Sequence, residues 1–196
     1  METTALHRRE CLILTAIEII NERGIQGLSV REVAKRQGFS NASIFSHFKS
    51  KSELIISVLD HYTQYDTAVI QAITLRELKS IDAIKYLIES YYTYYENYPQ
   101  ITAIILAYDG LRCEKELSEK IKSILSDRSV SLIKMIEEAK AVNKIRTDID
   151  SACISDIIMG SCREVCQKWR VEDYTFPLKD RIMYTLNAIL DSLASR

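Results

Sequence analysis

The residue types best suited to chemistry in this chain of 196 residues are short hydrogen-bonding side chains gathered in one segment. Residues 29–54 read SVREVAKRQGFSNASIFSHFKSKSEL. Within residues 41–48, four side chains carry groups that can hydrogen-bond to the edges of DNA bases: Asn41, Ser43, Ser46 and His47. The amide of Asn41 offers one donor and one acceptor, which suits bidentate pairing with adenine. This chemistry indicates recognition of bases in the major groove of double-stranded DNA.

The surrounding residues predict two short helices that position these groups. Ser29 is a natural N-cap, and Glu32 three residues later completes a capping box. Gly38 supplies the backbone freedom that a tight turn needs after this helix. Ser40 can cap a second helix over residues 41–48. An apolar pair four residues apart marks the inward face of that second helix: Ile44 and Phe48.

Charge in the segment supports binding to phosphates. Between residues 31 and 51 there are five basic residues and one acidic residue, a net charge of +4, whereas the whole chain carries −1. Such a basic patch could serve only to keep the surface of a helix pair soluble. Here it coincides with the capping box, the turn glycine and the capped second helix, and this coincidence favours phosphate binding. We therefore expect hydroxyls, helix N-termini and charge to hold phosphates at four residues: Ser29, Ser40, Lys49 and Lys51.

These motifs resemble the DNA-binding domain of the TetR family of bacterial transcriptional regulators, over about residues 8–62. The resemblance is carried by Gly24, by the order of residues 28–38, and by Phe48 with the Lys-Ser-Lys run after it. Two positions depart from the family pattern but still belong to the predicted DNA-binding set. At Phe45 the family usually has a tyrosine whose hydroxyl touches the DNA backbone, so one phosphate contact is lost, and at Ala42 it often has glycine.

The resemblance implies an all-α fold of about nine helices. A three-helix helix-turn-helix head would occupy residues 1–50, and a larger helical domain for ligand binding and dimerisation would occupy residues 51–196. Members of the family are most often repressors that act as dimers on palindromic operators. Two recognition helices would then lie roughly 34–36 Å apart, one turn of DNA.

Composition agrees with a helical protein. Hydrophobic residues make up 47% and charged residues 27%, and five Gly and two Pro leave few helix breakers. The five cysteines are an odd number in apolar helical patterns, which suits thiols in a reducing compartment. No apolar run has the length of a signal peptide or a membrane span, so we expect a cytoplasmic protein without membrane contact.

Apolar periodicity predicts the remaining elements. Residues 1–7 are expected to form a loose arm, and a long fourth helix is expected to run from about residue 50 past Val69, without a flexible linker to the head. Pro99 should break the chain, and a polar connection should span residues 143–150. Helices are expected over residues 8–22, 80–98, 101–110, 115–142, 151–170 and 177–195.

A cluster of tyrosines lies in helices that the resemblance places around a ligand cavity. Tyrosine combines apolar area with a hydroxyl, as mostly apolar pockets require, although each tyrosine could simply pack in the core. Arg163 could pair with an anionic ligand group, or equally form a salt bridge with Glu164. The candidate residues for binding a largely apolar or aromatic small molecule are Tyr62, Tyr65, Tyr91, Tyr95, Ile104, Tyr108 and Arg163.

Residues 143–150, together with Gly160 and Trp169, are similar to the corresponding segment of TetR regulators that respond to acyl-CoA or to multiple drugs. The last helix is apolar around much of its circumference, so one neighbouring helix cannot cover it. Pairing with a second copy in a four-helix bundle would supply the cover. The residues expected at this dimer interface are Ile158, Val165, Trp169, Ile182, Leu186, Ile189 and Leu193.

Two other functions are weighed against a ligand-responsive regulator. The C-terminal domain could bind a protein partner instead of a small molecule. A small helical enzyme would need a catalytic constellation, and the sequence has no glycine-rich phosphate loop, G-x-S-x-G elbow or H-E-x-x-H pair. His61 on the fourth helix is more typical of a solvated histidine. Cys162 and Cys166, one turn apart, could bind a metal or sense oxidants, but core packing is the simpler interpretation, and no cofactor is expected.

Overall fold

The structure, a computed structural model, describes residues 2–195, and it describes their side chains except those of residues 2–6, 41 and 42. In this described range the chain forms ten α-helices and no β-strand. The all-α prediction is therefore confirmed, with one helix more than the nine expected. The helices are α1 Glu2–Arg23, α2 Val30–Gln37, α3 Asn41–Phe45, α4 Lys51–Thr63, α5 Asp66–Leu75, α6 Ser80–Asn97, α7 Ala103–Leu111, α8 Lys115–Ala141, α9 Ser151–Val171 and α10 Leu178–Ser192.

The chain divides into two compact units. Unit 1 contains Met1–Gln64 and Pro99–Ser123, and unit 2 contains Tyr65–Tyr98 and Ile124–Arg196. The predicted division differs in kind, because it separates a DNA-binding head, residues 1–50, from a domain for ligand binding and dimerisation, residues 51–196. That assignment of functions stays a prediction. No described helix combines the length and the hydropathy that crossing a bilayer requires.

Unit 1 is built on α1. The apolar stripe of α1 is fully buried at Leu12, Ala16 and Ile17, and α1 packs against α2 and α4. The 3₁₀ turn Pro99–Thr102 and helix α7 also pack against α1. The helix-turn-helix elements therefore share one core with α7.

Unit 2 has α6 and α10 packed together at its centre. Helix α5 packs against α6, and α9 packs against α10. Trp169 of α9 donates a hydrogen bond of 2.8 Å from Nε1 to the carbonyl of Phe176 in the connection to α10. The connection between α8 and α9 is anchored by buried Ile145, which forms an antiparallel bridge with Ala194 after α10.

Two expectations about the ends of helices were wrong. Residues 1–7 were expected to form an arm, but α1 already begins at Glu2, because the segment ETTALH contains no breaker and includes good helix formers. The second helix of the head was expected over residues 41–48, but α3 ends at Phe45. There the Ser46 hydroxyl bonds to the Ser43 carbonyl at 2.7 Å, and such local bonds compete with the helix ladder.

The long fourth helix is interrupted. Helix α4 ends at Thr63 and α5 begins at Asp66, although the sequence between them contains neither Gly nor Pro. The hydroxyl of Thr63 bonds back to the carbonyls of Leu59 and Asp60 at 3.1 and 3.3 Å, and Gln64 closes a tight 3₁₀-type turn on His61. These local bonds replace the helical ones. Helix α7 was expected to end at Gly110 but includes it and ends at Leu111.

Candidate nucleic-acid interface

The turn between α2 and α3 has the geometry that the sequence predicts. Ser29 Oγ accepts a hydrogen bond of 3.1 Å from the backbone N–H of Glu32 at the start of α2. Gly38 ends α2 with φ 68° and ψ 22°, a left-handed conformation that side-chain-bearing residues rarely adopt. Ser40 Oγ then accepts a bond of 3.2 Å from the N–H of Ser43, which caps α3. Sequence analysis therefore located both caps and the turn.

Helix α3 is anchored on one side and exposed on the other. Ile44 and Phe48 are fully buried, and the guanidinium of Arg9 lies 4.9 Å from the centre of the Phe48 ring. Phe45 and Ser46 are exposed, and Ser43 and His47 are half-buried. The exposed side of α3 therefore carries residues that were expected to contact DNA. The side chains of Asn41 and Ala42, also expected there, lie outside the described residues.

The serine hydroxyls of this segment are partly engaged in the fold. Ser29 and Ser40 accept backbone bonds as N-caps, and Ser46 donates to the Ser43 carbonyl at 2.7 Å. A hydroxyl oxygen has two lone pairs, so an N-cap serine can accept one further bond but still has its own proton to donate. Ser29 and Ser40 therefore keep a proton to donate to a phosphate, whereas Ser46 keeps only the capacity to accept a bond, for instance from a base.

Ion pairs reduce the charge that the basic patch offers to DNA. Arg36 is engaged with Glu22 through bonds of 2.6 and 3.0 Å, and it lies 3.5 Å from Glu32. The hydrogen bond from Arg36 holds the pKa of Glu22 below its ordinary value. Arg36 therefore stabilises the packing of α1 on α2.

Other basic residues of the patch remain at the surface. Arg31, Lys35 and Lys49 are exposed, and among the described side chains no carboxylate forms a salt bridge with them. Lys51 is half-buried, and its ammonium donates a bond of 3.1 Å to the carbonyl of Ile25. Two of the three ammonium protons of Lys51 remain for a phosphate, whereas Lys49 offers its whole charge.

A second capping box follows the recognition segment. Ser50 Oγ accepts a bond of 3.0 Å from the N–H of Glu53, and the carboxylate of Glu53 accepts a bond of 2.8 Å from the N–H of Lys49. The sequence carries this signal as Ser50-Lys51-Ser52-Glu53, at the start of the predicted fourth helix. The box fixes the backbone at Lys49 and begins α4.

In unit 1, three of the predicted ligand-binding residues are buried. The rings of Tyr62 and Tyr108 meet edge to face with centres 6.4 Å apart. Ile104 lies one turn before Tyr108 on α7 and is buried as well. This apolar cluster forms part of the core of unit 1.

In unit 2, the predicted ligand-binding residues differ in exposure. Tyr91 and Tyr95 of α6 are buried, whereas Tyr65 is 47% exposed and packs edge to face on Tyr94 at 4.6 Å. Arg163 of α9 is exposed, so it does not line the interior of unit 2 as a cavity-forming cation would. Its predicted pairing with an anionic ligand group, or with Glu164, stays a prediction.

Sequence analysis missed Arg128, the buried arginine of α8. Its guanidinium donates bonds of 2.7 and 2.9 Å to the two carboxylate oxygens of Asp66 and a bond of 3.2 Å to the Tyr95 hydroxyl. It also lies 4.8 Å from the centre of the Tyr91 ring, a cation–π distance. Arg128 therefore sets the positions of two tyrosines that were expected to bind a ligand. Nothing in the sequence pairs Arg128 with Asp66, which is 62 residues away.

A polar cleft of ≈ 450 Å³ opens in unit 2 at the end of the chain. It does not contain any predicted ligand-binding residue. Its lining consists of the connection after α8 and the residues after α10: Asn143, Arg146, Thr147, Asp148, Ser192, Ala194 and Ser195.

The predicted dimer interface stays a prediction. Five of its seven residues are buried inside one copy of the chain, where their side chains stabilise the fold: Ile158, Trp169, Ile182, Leu186 and Leu193. Val165 and Ile189 are half-buried. Large apolar side chains exposed on α9 and α10 are Ile157, Val171 and Tyr184.

The pKa shifts of two buried cysteines and of one histidine favour their neutral forms. Burial raises the pKa of the Cys162 thiol to about 12 and that of Cys166 to about 11, which opposes thiolate chemistry. Partial burial lowers the pKa of His61, an effect that the charge of Glu10 opposes. Among the described side chains there is no group of three potential metal ligands.

An all-helical chain with a capped helix-turn-helix and an exposed recognition face defines the class of helix-turn-helix DNA-binding transcriptional regulators. Residues 12–58 match the model of bacterial regulatory proteins of the tetR family, and residues 67–192 match the model of the C-terminal region of YsiA-like proteins. The chain belongs to the TetR family, as the motifs of residues 29–54 predicted.

Individual relatives are distant in sequence but similar over most of their length. The fatty acid metabolism regulator protein of Bacillus subtilis is 21% identical over 94% of this chain and 92% of its own. The nucleoid occlusion factor SlmA of Haemophilus influenzae is 18% identical over 81% of this chain and 73% of its own. The crystal structure of FadR from Bacillus subtilis in complex with stearoyl-CoA superposes with a TM-score of 0.81 at 20% identity, covering 94% of this chain and 98% of FadR.

Proposed function

We propose that this chain acts in the cytoplasm as a homodimeric repressor that reads a palindromic operator through α3 of each copy. The observation that carries the proposal is the exposed face of α3. Phe45 at its end and Ser46 directly after it are exposed, and Ser43 and His47 are half-buried, close in sequence to the exposed charge of Lys49. Because Ile44 and Phe48 anchor the opposite side, this face can enter the major groove as a rigid unit.

The roles of the residues follow from their groups. Asn41, Ser43 and His47 carry donors and acceptors that match base edges. Ser29 and Ser40 cap the N-termini of α2 and α3, and a helix N-terminus favours a bound phosphate oxygen. Lys49 and Lys51 add charge on either side of Ser50, the N-cap of the second capping box.

The salt dependence of DNA binding tests the phosphate contacts. In a fluorescence anisotropy titration with a fixed duplex, Lys49→Ala should weaken all sequences alike and reduce the slope of log K against log salt by about one. Lys134→Ala, which removes an exposed lysine of α8 in unit 2, is the matched control and should leave the slope unchanged. An equal slope for the wild type and Lys49→Ala would show that Lys49 does not contact a phosphate.

For the effector we propose a fatty acyl thioester, a largely apolar ligand with an anionic head. Two facts support it: a relative over 94% of this chain is named a fatty acid metabolism regulator protein, and the chain is similar to a FadR structure in complex with stearoyl-CoA. Each unit has candidate contacts of its own, Tyr62, Ile104 and Tyr108 in unit 1 and Tyr91 and Tyr95 in unit 2, with apolar area and hydroxyls of the kind that such ligands contact. Binding would favour a spacing of the two heads that no longer fits the operator, which needs only a few kcal/mol of differential affinity.

Release of a bound duplex by stearoyl-CoA tests this effector class. Stearoyl-CoA should lower operator affinity several-fold, whereas coenzyme A alone should not. Tyr108→Phe, which removes a buried hydroxyl and keeps the ring, should shift the concentration needed for release. Tyr184→Phe is the matched control, because Tyr184 is 76% exposed. Unchanged affinity in the presence of saturating stearoyl-CoA would contradict the proposal.

The second candidate is a DNA-binding regulator whose unit 2 binds a protein partner. Two observations favour it: five of the seven expected ligand residues are buried in packed cores, and a relative is named a nucleoid occlusion factor. A partner should then be captured by the wild-type protein and lost after substitution of exposed residues of unit 2, such as Leu75 and Val130, while acyl thioesters leave DNA binding unchanged.

A further inference from the structure

The largest apolar side chain exposed on the recognition segment is Phe45, the last residue of α3. It is 47% exposed, whereas its neighbours Ile44 and Phe48 are fully buried. Residues 44–48 therefore place two apolar side chains in the core and leave the third partly exposed to solvent. The core of the head does not need the exposed part of this ring, because the buried pair already anchors the helix.

The polar groups around Phe45 are largely engaged in the fold. The Ser46 hydroxyl donates to the Ser43 carbonyl at 2.7 Å, and Ser40 Oγ accepts from the N–H of Ser43 at 3.2 Å. Phe45 itself carries no hydroxyl with which to reach a phosphate. Its ring can therefore contribute to DNA binding only through apolar contact.

The major groove offers one apolar group on a base edge, the C5-methyl group of thymine. Guanine and adenine present donors and acceptors along this edge, which a phenyl ring cannot satisfy, and cytosine has only a hydrogen at C5 in place of the methyl group. A ring at the end of a recognition helix therefore favours thymine over the other bases.

We propose that Phe45 is a specificity-determining residue that packs against the C5-methyl group of one thymine in each operator half-site. The inference rests on the proposed function, since it requires α3 to read DNA. It goes beyond that function by assigning the base and the group on that base which the ring contacts.

Replacement of thymine by uracil tests the contact, because uracil lacks only the methyl group and keeps its pairing edge. The probe is the duplex that the wild-type protein selects from a random pool, with each thymine changed to uracil in turn. At one thymine per half-site the wild-type protein should bind uracil about fourfold more weakly, a factor equivalent to one buried CH₂-sized group. Phe45→Ala should bind the thymine and uracil duplexes equally at that position.

Two further variants separate ring contact from damage to the fold. Phe45→Tyr keeps the ring and should keep the preference for thymine, and Phe45→Leu should keep part of it. Circular dichroism melting should be nearly unchanged in all three variants, because Phe45 does not fill the core. Thymines at other positions serve as internal controls.

Three outcomes would overturn the inference. If the wild type and Phe45→Ala show the same ratio of thymine to uracil binding at every position, while both still prefer the operator, Phe45 does not read the methyl group and the proposed DNA reading survives. If Phe45→Ala unfolds, the ring is a core residue. If no duplex is selected at all, the proposed function and this inference fail together.

Discussion

The guanidinium of Arg128 on α8 makes a two-point contact with the carboxylate of Asp66 in the first turn of α5, with N–O distances of 2.7 and 2.9 Å. The guanidinium is nearly buried, and Asp66 is partly exposed. Because the same group also contacts Tyr91 and Tyr95 of α6, one side chain joins three helices of unit 2. The pair therefore anchors α5, whose only fully buried apolar residue is Ile73 among the described side chains.

Removing one partner of this pair should cost more than removing both. Asp66→Leu leaves a buried guanidinium without its carboxylate and should lower the free energy of unfolding by about 3 kcal/mol. The double variant Asp66→Leu with Arg128→Met removes both charges, and its free energy of unfolding should fall by less than that of Asp66→Leu alone. Urea unfolding followed by circular dichroism measures both changes, and Glu164→Ala, which breaks the exposed pair with Lys168, is the control. A double variant as unstable as the sum of its single changes would show that the pair is not coupled.

The partly buried His61 should make stability depend on pH. Burial lowers its pKa in the folded protein below the ordinary value of 6.5, so the unfolded chain takes up a proton at a higher pH than the folded one. The stability that this histidine contributes is complete above the unfolded pKa and is lost as the pH falls below it. As the pH falls from about 7.5 to about 5.5, the free energy of unfolding should therefore decrease less for His61→Gln than for the wild type, as urea unfolding would measure.

The control for that prediction is His7→Gln, because His7 is exposed on α1. It should retain the pH dependence of the wild type. If His61→Gln also retained it in full, the acid sensitivity would come from other groups.

The five cysteines should differ in reactivity. Cys113 and Cys153 are exposed, whereas Cys162 and Cys166 are buried with pKa values raised to about 12 and about 11. In native protein a maleimide reagent should label the exposed pair within minutes and the buried pair only after unfolding, as peptide mass spectrometry would report. Rapid labelling of Cys162 in the folded protein would revive the redox interpretation of that pair.

Local signals in the sequence predicted the head well, because capping and turn chemistry depend on residues two to four positions apart. Ser29, Gly38 and Ser40 act as their types predict. The break between α4 and α5 was missed, because the Thr63 hydroxyl bonds that accompany it leave no Gly or Pro signal. Arg128 was missed because its partner is distant in sequence. Periodicity also identified which faces of α9 and α10 are apolar, but it could not say whether the same chain or a second copy covers them.

A proposed dimer surface on α9 can be tested at Gly160. This residue is exposed in the middle of the helix, and a Cβ built there meets no described atom within 4 Å. Gly160→Ala should stabilise the single copy by roughly 0.5–1 kcal/mol, because alanine is the better helix former. If a second copy packs on this face, the same change should weaken the dimer in analytical ultracentrifugation.

Matched controls define that result. Lys134→Ala, an exposed position on α8, should leave self-association unchanged. Tyr184→Asp replaces an exposed tyrosine of α10 by a charged side chain. It should weaken the dimer if α10 is part of the dimer surface. A dimer unaffected by both Gly160→Ala and Tyr184→Asp would contradict a bundle of α9 and α10.

The central claim is that the exposed face of α3 reads a specific DNA sequence. Its most direct measurement is selection of tight-binding duplexes from a random pool at fixed salt, with the wild type and with Asn41→Ala. The account predicts a palindrome with half-site centres one helical turn apart, and a relaxed preference at one base pair per half-site for Asn41→Ala. Enrichment of no sequence by the wild-type protein would contradict the account.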